Sequence, residues 1–600
     1  MTVNYKDAPF RDAEFMPVDL EVERRPDGTI LFETRTAMPD HDGGFIRDVL
    51  ASADANPDVI ALGERGTDGA WVEITYRTFK ERVLAAAQWM LDNVPSGRAL
   101  MILSENSIDT AIINFACYCA GVIHTPVSPS FAMPGATPGE YPRLKHVANL
   151  TEPAAIFTSG SPAFATAIET VLGEDVRVIT AATDSFIRSA TPLSQLYETE
   201  PAAPLFDKIN ALNPETISTY MMTSGSTGLP KVVTLSHAAL AANSAQTYAA
   251  VGKAAGWDEV MLDWLPWHHA AGLSVLRSCL LCGGTLYIDG GKPLPGLINK
   301  TIENLTEIPV SYFNNVPSGY AMLIDEMETN ADLKASFFKK MRLLLYGGAG
   351  LSQSVYDRLQ EMAVEECGHR IHITTGYGMT ETVSGCMVIH YPTQKVGIGL
   401  PSPGVQVKLI KSDDRYEVRL KGPNLMSGYL NAPAKNAEVF DEDGYYKTGD
   451  LARLVNPDDL NEGLMFAGRL VEEFKLLNGS WVYGGELKAR LLKALSTDVL
   501  EMVLCDANRP YLSLMIWAKP GAPEGVKDRI EADIRAFNAG PGGQSTTIKR
   551  FTLLTQLPNA AVHELSDKGT VNRQAVLKNR SDILEALYAE TPTNGIFELN

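Results

Sequence analysis

Basic residues are scarce in this chain relative to acidic ones. Its 600 residues include 52 Lys and Arg against 72 Asp and Glu, which gives a formal net charge of −20 at pH 7. Proteins that bind nucleic acids in general present a basic face, because much of their affinity comes from contacts with phosphates. The composition therefore argues against a general nucleic-acid binder, but it remains compatible with an anion held at a local site.

Cysteine is also scarce. The seven cysteines are scattered along the chain, a usage typical of proteins in the reducing cytoplasm, where we expect this one. Cys279 and Cys282 spell C-x-x-C, but the pair lies in the apolar run GLSVLRSCLLCGG with no second pair at zinc spacing. The run favours packing of a buried helix over metal or redox chemistry.

Long uninterrupted apolar segments are missing. The N-terminal stretch MTVNYKDAPFRDAEF mixes acids and bases without an apolar core, so it does not predict a secretory signal. The most apolar early segment, AIINFACYCAGVIHTPV, is interrupted by Asn114, His124 and Pro126. We interpret it as a buried helix that runs into a strand, not as a membrane span.

Apolar runs that end in Gly or Ser turns alternate with helical stretches over most of the chain. YRTFKERVLAAAQWMLDN carries apolar residues at helical spacing, and ALMILSENS, AAIFTSG, STYMMTSGS and MRLLLYGGAG are typical of buried strands. This alternation predicts an α/β fold with parallel sheets covered by helices on both faces. In such folds ligands bind at the carboxyl ends of the strands.

The length predicts more than one domain, because a chain of 600 residues exceeds what a single core holds. From about residue 396 the sequence pattern changes to short β-like runs with turn signals, which predicts a small barrel or hairpin unit over about 396–467. We predict a large N-terminal domain over 1–467, a hinge over 468–471 and a small mobile α+β lid over 472–600.

One loop combines hydroxyls, glycines and a cation. It lies in MMTSGSTGLPKVV, after the strand-like ISTYMM, and its candidate ligand residues are Thr223, Ser224, Gly225, Ser226, Thr227, Gly228 and Lys231. Hydroxyls, free backbone N–H groups and a lysine suit an anion close to the main chain, most often a phosphate. The spacing fits neither a Walker A loop nor a dinucleotide-binding G-x-G-x-x-G. On the loop alone, a flexible Ser/Gly turn is the favoured interpretation, so the rest of the chain has to decide.

Six further stretches accompany this loop: DWLPWHHAAGL, YGGAGLS, TTGYGMTET, YYKTGDLARL, AGRLVEEFK and, near the end, DKGTVNR. In this order and at these separations they resemble the core motifs of the adenylate-forming (acyl-CoA synthetase) superfamily, over roughly residues 45–580. The local sequence in and around these motifs, including GGTLYIDGGKPLPG and EEFKLLNGSWV, is similar to that of bacterial feruloyl-CoA synthetases. The resemblance implies an enzyme that uses ATP, Mg²⁺ and coenzyme A. It would form an acyl-adenylate, expel pyrophosphate and pass the acyl group to the thiol.

The resemblance also implies roles for individual residues. Lys231 and the loop before it would hold the β- and γ-phosphates, Thr380 would contact the α-phosphate, and Glu381 would bind Mg²⁺. Tyr377 would offer an aromatic face to adenine, and Asp450 would accept both ribose hydroxyls. The other residues expected at the nucleotide or in its pocket are Gly348, Ala349, Gly350, Thr375, Gly376, Gly378, Arg469 and Lys475.

Two adjacent histidines, His268 and His269, lie in DWLPWHHAAGL. Adjacent residues do not share a helix face, and no acidic partner is spaced nearby, so the pair does not indicate a metal site. The family pattern P-x-x-H-x-x-G matches Pro266, His269 and Gly272. The resemblance therefore implies that His269 is the functional histidine, a gate between the carboxylate and thiol paths.

Two positions depart from the family pattern. Where the superfamily usually has a polar hinge residue, Asp or Lys, this chain has Val471, so we expect the hinge there without a polar hinge mechanism. Where the family's C-terminal catalytic lysine follows a glycine, this chain has Thr570, and the nearest lysine is Lys568. Lys568 is our candidate for that role, with Lys475 or Arg573 as alternatives.

The leading hypothesis is an AMP-forming ligase that joins a small aromatic acid, such as the hydroxycinnamate ferulate, to coenzyme A, as a monomer or homodimer. Alternatives within the family are adenylation of another aryl or fatty acid and loading of a carrier protein. A non-catalytic relative is the third reading. It would predict loss of Thr380, Glu381 or Asp450, and all three are present.

Overall fold

The structure is a computed structural model. It describes residues 4–135, 137, 139–223, 229–294, 296–348, 350–495, 498–505, 507–559, 562, 564–565, 571–592 and 595–599.

The strands are, in chain order, β1 (Leu20–Arg24), β2 (Ile30–Thr34), β3 (Ile60–Arg65), β4 (Trp71–Thr75), β5 (Ala99–Leu103), β6 (Ile123–Pro126), β7 (Ala155–Thr158), β8 (Arg177–Thr180), β9 (Ala190–Pro192), β10 (Ile217–Thr223), β11 (Lys231–Ser236), β12 (Val260–Asp263), β13 (Thr285–Ile288), β14 (Tyr312–Asn315), β15 (Leu343–Tyr346), β16 (His372–Gly378), β17 (Gly385–Val388), β18 (Leu400–Pro401), β19 (Gln406–Ser412), β20 (Arg415–Lys421), β21 (Gly428–Tyr429), β22 (Tyr446–Leu454), β23 (Leu464–Arg469), β24 (Glu473–Lys475), β25 (Trp481–Tyr483), β26 (Val499–Leu504), β27 (Leu512–Ala518), β28 (Ile548–Leu553) and β29 (Ile596–Glu598).

The α-helices are α1 (Phe45–Ala55), α2 (Tyr76–Asn93), α3 (Ile108–Ala120), α4 (Pro142–Thr151), α5 (Pro162–Val171), α6 (Leu193–Tyr197), α7 (Ala203–Asn210), α8 (His237–Thr247), α9 (Lys253–Ala255), α10 (Ala270–Cys282), α11 (Ile298–Glu307), α12 (Pro317–Met327), α13 (Ala331–Lys340), α14 (Gln353–Cys367), α15 (Pro433–Val439), α16 (Gly484–Ala494), α17 (Val526–Asn538), α18 (Arg573–Asn579) and α19 (Ser581–Tyr588). A π-helical turn, Tyr248–Gly252, joins α8 to α9.

The first large sheet has eight strands in the order β21-β11-β10-β6-β5-β7-β8-β9. Neighbouring strands run parallel from β10 to β9, whereas β11 and β21 pair antiparallel beside them. Every residue of β5 is buried, as expected for a strand in a parallel sheet that is covered on both faces. The run ALMIL is therefore a central strand, as the sequence predicts.

The second large sheet has nine strands in the order β18-β17-β16-β15-β14-β12-β13-β3-β4, with parallel pairs from β16 to β3. One hydrophobic cluster joins the two large sheets. It contains Leu100 of the first, Met261 of the second, and Phe45, Phe115 and Leu276 from α1, α3 and α10. Helices thus lie between the sheets and share their core, and the predicted α/β class is confirmed.

The segment AIINFACYCAGVIHTPV forms helix α3 followed by strand β6. The helix starts at Ser107, whose side-chain oxygen accepts a hydrogen bond from the Thr110 N–H, and it ends at Gly121 with φ 65°. A left-handed residue at this point favours glycine, because other side chains are strained there. The prediction of a buried helix running into a strand is confirmed. Within the described residues, each helix is too short or too polar to cross a bilayer.

The C-x-x-C pair lies on helix α10. Cys279 is fully buried, and Cys282 is the last helical residue. Burial raises the pKa of the Cys282 thiol to about 12, so it stays protonated and unreactive at neutral pH. The pair packs within the helix, as its apolar surroundings predict.

A third sheet is antiparallel and has six strands in the order β1-β2-β19-β20-β22-β23. It contains most of the β-like runs after residue 396 but also takes β1 and β2 from the N-terminal part of the chain, where Phe32 pairs with Val407. Its edge strands, β1 and β23, do not pair with each other among the described residues. The predicted β unit is therefore an open sheet here and not a closed barrel.

The remainder after β23 contains a β24–β25 hairpin, a four-stranded sheet in the order β26-β27-β28-β29, and helices α16 to α19. A separate hydrophobic cluster includes Leu491, Leu514, Ile530 and Phe551 from these elements. The domain limits at 467 and 472, and the mobility of the lid, stay predictions.

Candidate active site

Two of the phosphate-loop candidates, Thr223 and Lys231, lie at the ends of adjacent antiparallel strands. Thr223 ends β10 and Lys231 begins β11, and the two residues are register partners across the antiparallel pair. Both residues thus belong to the first sheet. The candidates Ser224, Gly225, Ser226, Thr227 and Gly228 lie outside the described residues.

Lys231 is partly buried. Burial of its ammonium and the nearby Lys435 lower its pKa, and the Glu381 carboxylate opposes that shift. Removing a cation from water costs free energy that a bound anion can recover. This environment suits a lysine that meets a phosphate.

Glu381 and Lys231, from two distant motifs, come together around one aromatic ring. The Tyr429 hydroxyl donates to Oε1 of Glu381 at 2.7 Å, and the Lys231 ammonium lies 5.2 Å from the centroid of the Tyr429 ring. The Tyr446 hydroxyl lies 3.4 Å from that of Tyr429. Glu381 is 7 % exposed, and it belongs to a short 3-10 turn that begins at Thr380.

A second group joins Tyr377, Asp450 and Arg469. The Tyr377 hydroxyl donates to Oδ2 of Asp450 at 3.0 Å, and Nε of Arg469 lies 3.1 Å from Oδ1. Asp450 and Arg469 are register partners on β22 and β23. Burial raises the pKa of Asp450, and the guanidinium opposes that shift. The carboxylate is thus held by one contact on each oxygen and keeps lone pairs for further donors.

The glycine-rich candidates lie after strand β15 and within the adjacent parallel strand β16. Thr375 lies opposite Tyr346 and donates its hydroxyl to the Tyr346 carbonyl at 3.1 Å. Gly348 has φ 78°, a conformation that favours glycine. Gly350 lies after β15, and Gly376 and Gly378 lie within β16. Ala349 lies outside the described residues.

Gly378 has no room for a side chain. A Cβ at this position would collide with the carbonyl oxygen of Ser384. The close approach follows from the antiparallel pairing of β16 with β17, in which Gly378 lies opposite Gly385. The turn that carries Thr380 and Glu381 therefore depends on a glycine before it.

His269 is the N-cap residue of α10 and follows a loop that Asn106 holds. The side-chain amide of Asn106 donates to the Leu265 carbonyl at 2.9 Å and accepts from the Trp267 N–H at 3.0 Å. A Cβ on Gly272 would lie 2.5 Å from the Pro266 carbonyl oxygen, which explains the glycine of the P-x-x-H-x-x-G pattern. Trp267 is buried in the core.

Asn106, Tyr429 and Tyr446 were not among the predicted site residues. Asn106 carries a signal that the sequence does offer, because it follows the central strand β5 at its carboxyl end, in SENS. Tyr429 and Tyr446 lie in GYL and YYKTGD, and nothing in their local sequence indicates contact with Glu381. Only the pairing of β21 with β11 brings Tyr429 beside Lys231.

The remaining candidates lie after the predicted hinge. Lys475 is in the β24–β25 hairpin opposite Trp481, and its ammonium lies 4.7 Å from the Trp481 ring centroid. Nε of Arg573 donates to the Leu504 carbonyl at 2.8 Å. The Val471 side chain is 70 % exposed. The principal candidate, Lys568, lies outside the described residues.

The hairpin and α16 contact the third sheet. Arg415 forms an ion pair with Glu473, and its guanidinium lies 4.2 Å from the Tyr483 ring centroid. The Tyr483 hydroxyl donates to Asp413 at 3.2 Å. These contacts connect the turn between β19 and β20 to the segment after the predicted hinge.

A family model described as "AMP-binding enzyme" matches residues 49–430. The chain belongs to this family. The match includes the hairpin loop, the His269 loop, Glu381 and Tyr429, but it ends before Asp450 and Arg469.

Curated relatives are distant. The chain is 25 % identical over 431 residues to 4-coumarate–CoA ligase-like 9 of Arabidopsis thaliana, covering 68 % of this chain and 70 % of that one. It is 33 % identical over 258 residues to 2-succinylbenzoate–CoA ligase of Staphylococcus epidermidis, covering 40 % and 48 %. It spans 37 % of a carboxylic acid reductase of Mycobacterium tuberculosis, at 26 % identity over 471 residues and 69 % of this chain.

Solved structures share the fold over most of the chain. ATP-bound MatB from Rhodopseudomonas palustris superimposes with a TM-score of 0.69 at 20 % identity, covering 91 % of this chain and 100 % of that one. O-succinylbenzoate coenzyme A synthetase (MenE) of Bacillus subtilis, in complex with AMP, gives 0.65 at 19 % identity, covering 88 % and 97 %.

Proposed function

We propose that this AMP-binding enzyme activates a carboxylic acid with ATP and transfers the acyl group to coenzyme A. The observation that carries the proposal is the grouping of Lys231 and Glu381 around Tyr429 at the base of the hairpin loop. A cation and a carboxylate close to a hydroxyl-rich loop suit a magnesium-bound triphosphate.

In the first half-reaction, a carboxylate oxygen of the acid attacks the α-phosphorus of ATP, and the bond from that phosphorus to the pyrophosphate oxygen breaks. Negative charge develops on the phosphate oxygens, so the site needs donors and cations aimed at them. Thr223, the loop and Lys231 would hold the β- and γ-phosphates, and Thr380 would meet the α-phosphate. Asp450 would accept the ribose hydroxyls with the lone pairs that Tyr377 and Arg469 leave open.

Glu381 fits a magnesium ion. Its buried carboxylate has Oε1 hydrogen-bonded to Tyr429, and a cluster of three or more acidic, His or Cys ligands is absent from the described part of the chain. Mg²⁺ typically takes one or two carboxylates, with the phosphates and water completing its shell. When bound, the ion would neutralise charge on the phosphates.

In the second half-reaction, the thiol sulfur attacks the acyl carbon, the bond from that carbon to the phosphate oxygen of AMP breaks, and the thiol proton passes to solvent. We propose that His269 gates the thiol path, and that residues 472–600 turn about 468–471 to clear the ATP site for the thiol. Lys475 and Lys568 would act from this moving part. On this proposal, the hairpin contacts of Tyr483 with Arg415 and Asp413 would have to break or rearrange as the segment turns.

We propose a hydroxycinnamic acid such as ferulate as the acyl substrate. The support is the local sequence around DWLPWHHAAG and GGTLYIDGG, together with one relative whose name refers to 4-coumarate. Other relatives are named for long-chain fatty acids and 2-succinylbenzoate, so the acid is the part of the proposal that most needs measurement.

A panel of carboxylic acids tests this function, with AMP release measured with and without coenzyme A. Ferulate, p-coumarate or caffeate should exceed acetate and palmitate in kcat/KM by at least about tenfold, which corresponds to roughly 1.4 kcal/mol. A preference for palmitate would reject the aryl substrate and leave adenylation standing. Absence of AMP release with every acid would reject adenylation of these acids.

A further inference from the structure

Tyr429 is held in place by its own backbone contacts. Its N–H donates to Oδ1 of Asn436 at 2.8 Å, and its carbonyl accepts from Nδ2 of the same residue at 2.9 Å. It also pairs with Val233 on β11. These contacts fix the backbone, and the residue is buried at 6 % exposure, so neighbouring atoms restrict the rotation of its ring.

The side chain of Tyr429 contacts both charged groups of the candidate phosphate site. Its hydroxyl donates a hydrogen bond to one carboxylate oxygen of Glu381, Oε1, at 2.7 Å. Its ring lies beside the Lys231 ammonium, 5.2 Å from centroid to Nζ. The backbone joins the same parts, because the Met426 N–H donates to the Glu381 carbonyl at 2.9 Å.

The chemistry of a phenol suits this double contact. A neutral hydroxyl orients a carboxylate without neutralising it, and it leaves the other oxygen available to a metal. A ring attracts an ammonium through its quadrupole, and it does not cancel the positive charge as a carboxylate would. Both charged groups can therefore stay ready for a phosphate and a cation.

We propose that Tyr429 is a positioning residue that orients Glu381 toward the metal through its hydroxyl and Lys231 toward the phosphates through its ring. The inference rests on the proposed function, since it assumes a magnesium–triphosphate at this site. Tyr429 itself need not touch either the metal or the nucleotide.

The first test separates the hydroxyl from the ring. Tyr429→Phe keeps the ring and removes the hydrogen bond to Glu381. With an ATP analogue whose α,β-bridging oxygen is a methylene, we expect Mn²⁺ to bind about tenfold more weakly than to the parent protein, as for other groups that orient metal ligands. Electron paramagnetic resonance of free Mn²⁺ measures the binding without turnover.

Tyr445→Phe is the matched control. Tyr445 precedes Tyr446 in the sequence, and its hydroxyl lies 3.4 Å from Gln406. Among the described residues it makes no hydrogen bond or ring contact with Glu381 or Lys231. It should bind Mn²⁺ and analogue as the parent does. Thermal unfolding of both variants shows whether a loss reflects general destabilisation.

The second test addresses the ring. Without divalent metal, Tyr429→Phe should bind the analogue as the parent does, whereas Tyr429→Leu should bind it several-fold more weakly, because the Lys231 ammonium loses its aromatic contact. Equal binding by the Phe and Leu variants would overturn the role of the ring.

Parent-like Mn²⁺ binding by a folded Tyr429→Phe would overturn the role of the hydroxyl while leaving adenylation intact. If the parent itself binds no metal–nucleotide, the proposed function fails first and the inference fails with it. A loss of Mn²⁺ binding equal in Tyr445→Phe would also reject it.

Discussion

At the residue scale, the candidate site depends on charges that are partly removed from water. Lys231 has its pKa lowered by burial, and Asp450 has its pKa raised by burial. The charged form of each group is therefore less stable than it would be in solvent. A bound ligand that offers an opposite charge or hydrogen-bond donors can recover that free energy. Substitution of Lys231 or Asp450 should therefore affect ligand binding and the reaction rate more than folding.

Lys231→Ala should lower the rate of adenylate formation by roughly a hundredfold, because a cation that meets developing phosphate charge is lost. Pyrophosphate–ATP exchange measures this step. Folding should change little, since removing a desolvated cation costs little stability. Lys231→Arg, which keeps the charge, should recover part of the rate, and exchange at the parent rate in the Ala variant would remove this lysine from the mechanism.

Arg469→Ala should move the acidic limb of the pH–rate profile to higher pH. Burial raises the pKa of Asp450 and the Arg469 guanidinium opposes that shift, so removing the cation raises this pKa further. The ionised carboxylate is the form that accepts the ribose hydroxyls, and activity should therefore fall at a higher pH as acid is added. The shift should be larger at low salt, because the Arg469 side chain is 58 % exposed.

The control for this profile is Arg453→Ala. Arg453 lies on β22, the strand that carries Asp450, but it pairs with Asp414 and Glu486. Its loss should leave the acidic limb in place. An unmoved limb in Arg469→Ala as well would show that Asp450 does not control it.

At the scale of elements, the site is assembled where strands end. The His269 loop leaves β12, Asn106 follows β5 of the other sheet, and the side-chain amide of Asn106 crosses between them. A loop that carries function needs such a support, since loops are otherwise the more mobile parts of a fold.

Asn106→Ala should leave the Leu265 carbonyl and the Trp267 N–H without their partner and destabilise the protein by about 1–3 kcal/mol. Denaturant unfolding measures this loss. If His269 gates the thiol path, thioester formation from pre-formed acyl-adenylate should slow more than pyrophosphate–ATP exchange. Asn106→Asp keeps an acceptor for Trp267 and should lie between the parent and the Ala variant in stability. Equal slowing of both half-reactions would indicate a purely structural role for Asn106.

At the scale of the whole molecule, the proposed function requires two half-reactions to share one site. The small segment after the hinge would present different faces to it, because ATP and the thiol cannot approach through the same occupied space. A lysine that supplies charge to the α-phosphate matters in the first half-reaction only.

Lys568→Ala should therefore slow acyl-adenylate formation by roughly a hundredfold or more. Given pre-formed acyl-adenylate and coenzyme A, the same variant should make thioester at close to the parent rate. Thr570→Lys in the Lys568→Ala background places a lysine directly after Gly569, as in the family pattern. It tests whether a lysine at that position restores acyl-adenylate formation. If Lys568→Ala leaves both steps intact, Lys475 or Arg573 becomes the candidate.

The sequence by itself determined the local elements and the family. Helix α3, strand β5 and the helix that carries Cys279 and Cys282 follow from the spacing of apolar residues, because that pattern acts over a few residues and needs no distant partner. The motif order likewise indicated an adenylate-forming enzyme, and the family match confirms this superfamily. The likeness to feruloyl-CoA synthetases remains part of the proposal.

Only the tertiary structure decided which side chains meet. Tyr429 lies beside Lys231 because β21 pairs with β11, and β2 pairs with β19 although the two strands lie far apart in the chain. Pairings of this kind depend on the packing of whole sheets, and no local pattern in the sequence carries them. Periodicity and motifs therefore predicted the parts of the site, whereas its contacts had to come from the fold.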